Sequence, residues 1–146
     1  MELDFSGRVG RLSVIGSYGY ADAETLEDNN GFEGNRYEGV PRHRASLWVR
    51  SELGASFAAG LGVFAEGERP GDLGNTYVLP GYARVDAMAQ YTLRVRGSRV
   101  AAQLNVDNVF DTEWYAGVYK NSRDFIMPGT PRAFRASLRF DLWSGR

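Results

Sequence analysis

The sequence contains no cysteine and a single histidine, His43. The first absence excludes a disulfide scaffold and any thiolate metal site. The second leaves a histidine-based metal centre without a second imidazole. No run of about 20 apolar residues occurs, which excludes a transmembrane helix. Neither sign of charge predominates: 17 Lys and Arg stand against 18 Asp and Glu, so no basic nucleic-acid footprint is visible. There is no Gly-x-Ser-x-Gly elbow and no phosphate-cradling glycine loop, so hydrolase and nucleotide chemistry lack their residues. The chain is therefore expected not to be an enzyme and to carry no cofactor. Its first residues, MELDFSG, show no basic segment followed by an apolar run, so no signal peptide is expected in this chain.

What is present is glycine, 18 of 146 residues, together with 13% aromatics. That mix suits turn-rich β structure in a chain long enough for one domain. The mean hydropathy of -0.37 is compatible with a membrane barrel, whose lumen side and loops are polar.

Alternation with a period of two marks seven strands. They cover residues 2–8, 11–23, 42–53, 56–67, 82–93, the stretch ending at Asp107, and 131–143. In the sixth, Val100, Ala102, Leu104 and Val106 alternate with Ala101, Gln103, Asn105 and Asp107. In the fifth, Val85, Ala87 and Ala89 alternate with Arg84, Asp86 and Met88, and in the last Ala136, Leu138 and Phe140 alternate with Arg135, Ser137 and Arg139. The connections alternate between short, at 9–10, 53–55 and 94–98, and long, at 24–41, 68–81 and 112–130.

Strands of about 10 residues exceed the usual soluble length of about 5–6, and tilted strands of about 9–11 residues span a bilayer. Short turns at one rim and long loops at the other complete the expected fold class. It is an all-β, antiparallel, up-and-down transmembrane β-barrel segment with short periplasmic turns and long extracellular loops. The alternative from a different class is a soluble β-sandwich, lectin-like binding module, in which the polar faces meet bulk water.

Four segments carry a resemblance: VPRHRASLW (40–48), LPGYARVDAMAQY (79–91), LNVDNVFDTEWY (104–115) and PGTPRAFRASLRFDLW (128–143). In this order they resemble the carboxyl end of TonB-dependent outer-membrane receptors, closest to ferric-siderophore receptors of the ferrichrome kind. Residues 1–39 match in pattern only. The resemblance implies a barrel around an amino-terminal plug, uptake of ferric siderophores energised by the TonB complex, and a Gram-negative outer membrane as surroundings. Outer-membrane lipid and a ferric siderophore are then the expected partners, with no nucleic acid. Neither the plug nor the TonB box is found here. The chain, 1–146, is thus expected to be a carboxyl-terminal barrel segment, non-autonomous, reaching TonB only through the missing amino-terminal part.

The candidate site residues fall in two sets. Tyr119, Lys120, Arg123 and Phe125 combine rings and cations in the third long loop, a set suited to an anionic or iron-chelating ligand through stacking and cation–π contact. Arg84, Asp86, Gln103, Asn105, Arg135 and Arg139 are expected to line the lumen, the arginines pairing with Asp86, Asp107 and Asp141. Asn105, Asn108 and Asp111 are expected to bond backbone groups at a strand end. Tyr18, Tyr20, Tyr82, Tyr91, Trp114, Tyr115, Phe140 and Trp143 read as interfacial girdle residues. The acidic run at Glu24, Glu27 and Asp28 lacks the spacing of a calcium loop and reads as solvated. No metal ligands are expected.

Overall fold

The computed structural model describes all residues except 96, 120–124 and 143–146. In chain order the strands are β1 (Glu2–Val9), β2 (Leu12–Tyr20), β3 (His43–Glu52), β4 (Phe57–Glu66), β5 (Arg69–Pro70), β6 (Val78–Leu79), β7 (Tyr82–Val95), β8 (Ser98–Asp107), β9 (Tyr115–Val118), β10 (Ile126–Pro128) and β11 (Ala133–Asp141). Seven of them form one antiparallel sheet in the order β1-β2-β3-β4-β7-β8-β11. The two remaining pairs, β5 with β6 and β9 with β10, are small ladders inside the long loops.

The register explains why the alternation matters. Residues directly opposite one another share a face. One row across the sheet is Gly7, Val14, Val49, Leu61, Ala87, Val106 and Phe134. The adjacent row is Arg8, Ser13, Arg50, Gly60, Met88, Asn105 and Arg135, and it looks the other way. One side is thus a continuous apolar surface and the other is polar and charged. Ile15, opposite Trp48, is an apolar residue on the polar side.

The apolar surface is bare. Leu61, in a central strand, is 59% exposed and Phe140 is 61% exposed. A sandwich would cover that face with a second sheet about 10 Å away. Among the described residues no second layer exists, so the lectin-like alternative is corrected: this is a single sheet whose apolar side needs a non-aqueous neighbour. No described helix is long and apolar enough to cross a membrane.

The alternation of connections holds. Short connections join Val9 to Leu12 and Glu52 to Phe57, and Val95 lies opposite Ser98 in the register, while the segments 21–42, 67–81 and 108–132 are long. The sequence pattern differs from the structure at several strand ends. The second strand stops at Tyr20 rather than 23, with the Ala21 amide donating to the Arg42 carbonyl at 3.0 Å as a last rung beside β3. The fifth long strand runs on to Val95, and the last begins at Ala133. Glycine appears on the sheet where a large neighbour lies over it. A Cβ on Gly16 would sit 2.3 Å from the Phe5 ring, so Phe5 covers the space that Gly16 leaves open.

Candidate functional site on the polar face and the long loops

The polar face is organised by arginines. Arg135 pairs with Asp107 at 2.8 Å, Arg139 with Asp141 at 3.0 Å and Arg84 with Asp86 at 3.0 Å. These are the pairings expected from the sequence. Gln103 donates to Asn105 at 2.9 Å, and Arg50 bridges Glu52 and Gln90. The Arg135 and Arg139 side chains are largely exposed, so each of their pairs is worth at most about 1 kcal/mol.

Arg84 differs from these surface pairs. Its guanidinium lies over the Phe64 ring at 5.0 Å and over the Trp114 ring at 5.2 Å while holding Asp86. Asp86, itself buried, turns its second oxygen to the backbone amide of Asn108 at 2.8 Å. Asn108 is 1% exposed and sits at φ 54°, a left-handed conformation that Asn tolerates better than most residues. Its side chain donates to the carbonyls of Thr112 and Thr130 at 2.9 and 3.2 Å and accepts from the Thr112 amide at 2.9 Å. Asp111, also at positive φ, accepts from the Arg132 amide at 2.7 Å. The segment NVDNVFD is therefore a fastening of the third long loop to the sheet. Asn108 and Asp111 take the backbone-bonding role expected of them, whereas Asn105 bonds the Gln103 side chain instead.

Trp114 is held on three sides. Its indole donates to the Thr130 carbonyl at 3.2 Å, its ring stacks at 4.6 Å on Tyr82, and it fills the space where a Cβ on Gly129 would stand, 2.1 Å away. Tyr82 lies opposite Glu66 in the register and therefore on the polar side. The girdle expectation is corrected for Tyr82, placed on the polar side by its register, and for Trp114, whose ring lies against Tyr82 and the Arg84 guanidinium on that side. Tyr18, Tyr20, Tyr91 and Phe140 lie on the apolar side as expected. His43 shares that side, where its Nδ1 and the Tyr18 hydroxyl are hydrogen-bonded at 2.8 Å.

The long loops touch one another. Asn75 of the second loop accepts from the Arg36 amide at 3.1 Å and donates to the Arg36 carbonyl at 2.8 Å, and Asn35 donates to the Leu73 carbonyl at 2.9 Å. Arg69 is 2% exposed; its guanidinium binds Glu66 and the carbonyl of Tyr115 in the third loop. In the acidic first loop Glu24 and Glu27 are exposed, and Asp28 accepts from the nearby Asn30 amide. Among the described residues no group of three or more His, Asp or Glu is arranged to hold a metal.

Of the loop candidates, Tyr119 and Phe125 flank the β9–β10 ladder, with their rings edge to face at 6.5 Å and both exposed. Lys120 and Arg123 lie outside the described residues. Arg84, Asp86, Gln103, Asn105, Arg135 and Arg139 share the polar face. Arg69, Asn75 and Trp114 were not found as organising residues by sequence reasoning. Their decisive partners, Tyr115 for Arg69, Arg36 for Asn75 and Thr130 for Trp114, come from distant segments.

Comparison with known proteins fits this architecture. The family described as TonB dependent receptor-like, beta-barrel matches residues 1–109. The metal-pseudopaline receptor CntO of Pseudomonas aeruginosa is 37% identical over 143 residues, covering 94% of this chain and 20% of the relative. The ferrichrome outer membrane transporter/phage receptor of Escherichia coli K12 is 36% identical over 115 residues, covering 74% of this chain and 15% of the relative. The chain thus spans about a fifth or less of the length of these two curated relatives. Among solved structures, the ferric preacinetobactin receptor BauA of Acinetobacter baumannii superposes with a TM-score of 0.85 at 19% identity, over 97% of this chain and 22% of that one. The siderophore receptor PiuA of the same organism gives 0.82 at 25% identity, over 96% and 21%. This family is one of receptors and not of enzymes. With its matching segment covering most of the sequence and its sheet laid out as a barrel wall, the chain belongs to the TonB-dependent receptor β-barrel family.

Proposed function

We propose that these 146 residues are the carboxyl-terminal barrel segment of a Gram-negative outer-membrane receptor that takes up metal ions as siderophore chelates, energised by the TonB complex. The plug and the TonB-contacting part belong to the remainder of that receptor. The observation that carries the reading is the two-faced sheet: a bare apolar surface on one side and, on the other, arginines paired with carboxylates. Lipid suits the first side and a hydrated lumen the second.

In this reading Arg84, Asp86, Gln103, Asn105, Arg135 and Arg139 line the lumen. The exposed rings of Tyr119 and Phe125, with Lys120 and Arg123 between them in sequence, meet the chelate at the outer surface. Siderophore chelates that carry negative charge or aromatic groups fit such a set by cation–π contact and stacking. The names of the relatives, a metal-pseudopaline receptor and a ferrichrome transporter, support the ligand class.

The test is transport. The full-length receptor containing this segment is expressed in a strain lacking its own siderophore receptors, and uptake of radiolabelled ferrichrome and of metal-loaded pseudopaline is measured with and without TonB. TonB-dependent uptake of one of them is expected. Normal surface levels with uptake of neither would overturn the reading.

A further inference from the structure

We propose that Arg69 is a positioning residue that couples β9 of the third long loop (Tyr115–Val118) to the first (21–42) and second (67–81) loops, bringing parts of three loops into one ligand-facing surface. The argument begins with two neighbouring residues that reach opposite ways. The Pro70 carbonyl accepts the Gly39 amide of the first loop at 2.8 Å. The Arg69 side chain, one residue earlier, donates to the Tyr115 carbonyl of the third loop and to Glu66 at the end of β4. The first and second loops are already joined through Asn75 and Arg36. Arg69 brings in the third.

A guanidinium suits this place because its planar fork serves two acceptors at once. Glu66 is shared with Arg44 at 2.8 Å, so the Arg69 charge stays compensated although almost no solvent reaches it. Across the same junction, Val118 of the third loop packs beside Gly39 of the first, 3.7 Å from where a Cβ would lie. A lysine at position 69 keeps the charge opposite Glu66 but, as a point donor on a flexible stem, does not hold both acceptors in fixed geometry.

The functional consequence, a chelate read by three loops together, rests on the receptor reading; the coupling itself does not. The test therefore uses no ligand. In the receptor containing this segment, spin labels are placed at Glu33→Cys with Val78→Cys, and separately at Glu33→Cys with Ala116→Cys, and interlabel distances are measured by pulsed electron resonance. Both pairs should give narrow distributions with Arg69 in place. Arg69→Lys, chosen because it preserves the charge, and Arg69→Met should each broaden the first-to-third distribution at least twofold and leave the first-to-second one narrow. Heat-modifiability reports whether each variant is folded, and if Arg69→Met fails to fold, Arg69→Lys decides. An unchanged first-to-third distribution in a folded variant would overturn the coupling, as would equal broadening of both pairs, which would make Arg69 a general fastening of the loop cluster. A negative uptake experiment would sink the receptor reading and leave this result standing.

Discussion

Trp48 and Gly62 stand directly opposite one another on β3 and β4, and the indole lies across the glycine so closely that a Cβ there would be 2.2 Å from its Cε3 atom. The large residue and the absent one form a single packing unit on the polar face, with the ring covering backbone that a hydrated surface would otherwise reach. Gly62→Ala should therefore destabilise the receptor containing this segment by about 1–3 kcal/mol, the usual range for overpacking. In a Trp48→Ala background the same change should cost far less. Urea unfolding in lipid vesicles of the two single variants and the double variant gives the coupling directly. Additive costs would refute the unit.

Asn108 supplies the second prediction. It combines near-complete burial, a positive φ and three side-chain hydrogen bonds to the third loop. Asn108→Ala leaves loop carbonyls unsatisfied, at about 1–3 kcal/mol, and places a residue that resists the left-handed region, at roughly a further 1 kcal/mol. Asn108→Gly removes the conformational part only. The alanine variant should thus unfold at lower urea concentration than the glycine variant, and the reverse order would discount the backbone strain.

The two faces can be compared by one substitution type. Leu61→Arg puts a cation on the apolar side in a central strand, where a lipid-facing charge near the midplane costs about 2–4 kcal/mol. Gln103→Arg, on the polar side beside Asn105, should be much milder. Equal penalties in a folding titration would mean that the apolar side does not meet lipid.

The extent to which the sequence disclosed this architecture follows the range of the interactions. Strand alternation is local, so the facing of Leu104, Val106, Arg135 and Arg139 is legible residue by residue, and the pairing of each arginine with its near carboxylate follows from proximity on one side of the sheet. The alternation of short and long connections is equally a property of neighbouring sequence. Trp114 shows where that legibility stops. Its aromatic character suits a membrane interface, and its contacts with Tyr82, Arg84, Gly129 and Thr130, all distant in sequence, set it on the polar side. Arg69 is illegible for the same reason: Glu66 is a near neighbour, but Tyr115 and the adjoining Gly39 contact come from two other loops. The small ladders β5–β6 and β9–β10 are only 2 to 4 residues per strand, too short for a periodic signal.

Expressed alone, the 146 residues should fail to give a heat-modifiable monomer in detergent. Unpaired N–H and C=O groups along the outer sides of β1 and β11 would face hydrocarbon, each at several kcal/mol. Gel mobility with and without boiling is sufficient to check this. A folded monomer that restores chelate uptake to a receptor-deficient strain would contradict both this expectation and the segment reading.

The direction of the outermost strands carries a constraint of parity. In an antiparallel sheet of seven, β1 and β11 run the same way, so they cannot meet as antiparallel neighbours. A closed antiparallel cylinder must hold an even number of staves. Whatever completes the wall around this sheet must then contribute an odd number, beginning and ending with strands that run opposite to β1 and β11. In the receptor proposed above, the remaining strands are then threaded onto both sides of this sheet at once, so that neither portion is a finished object until the other has been laid against it.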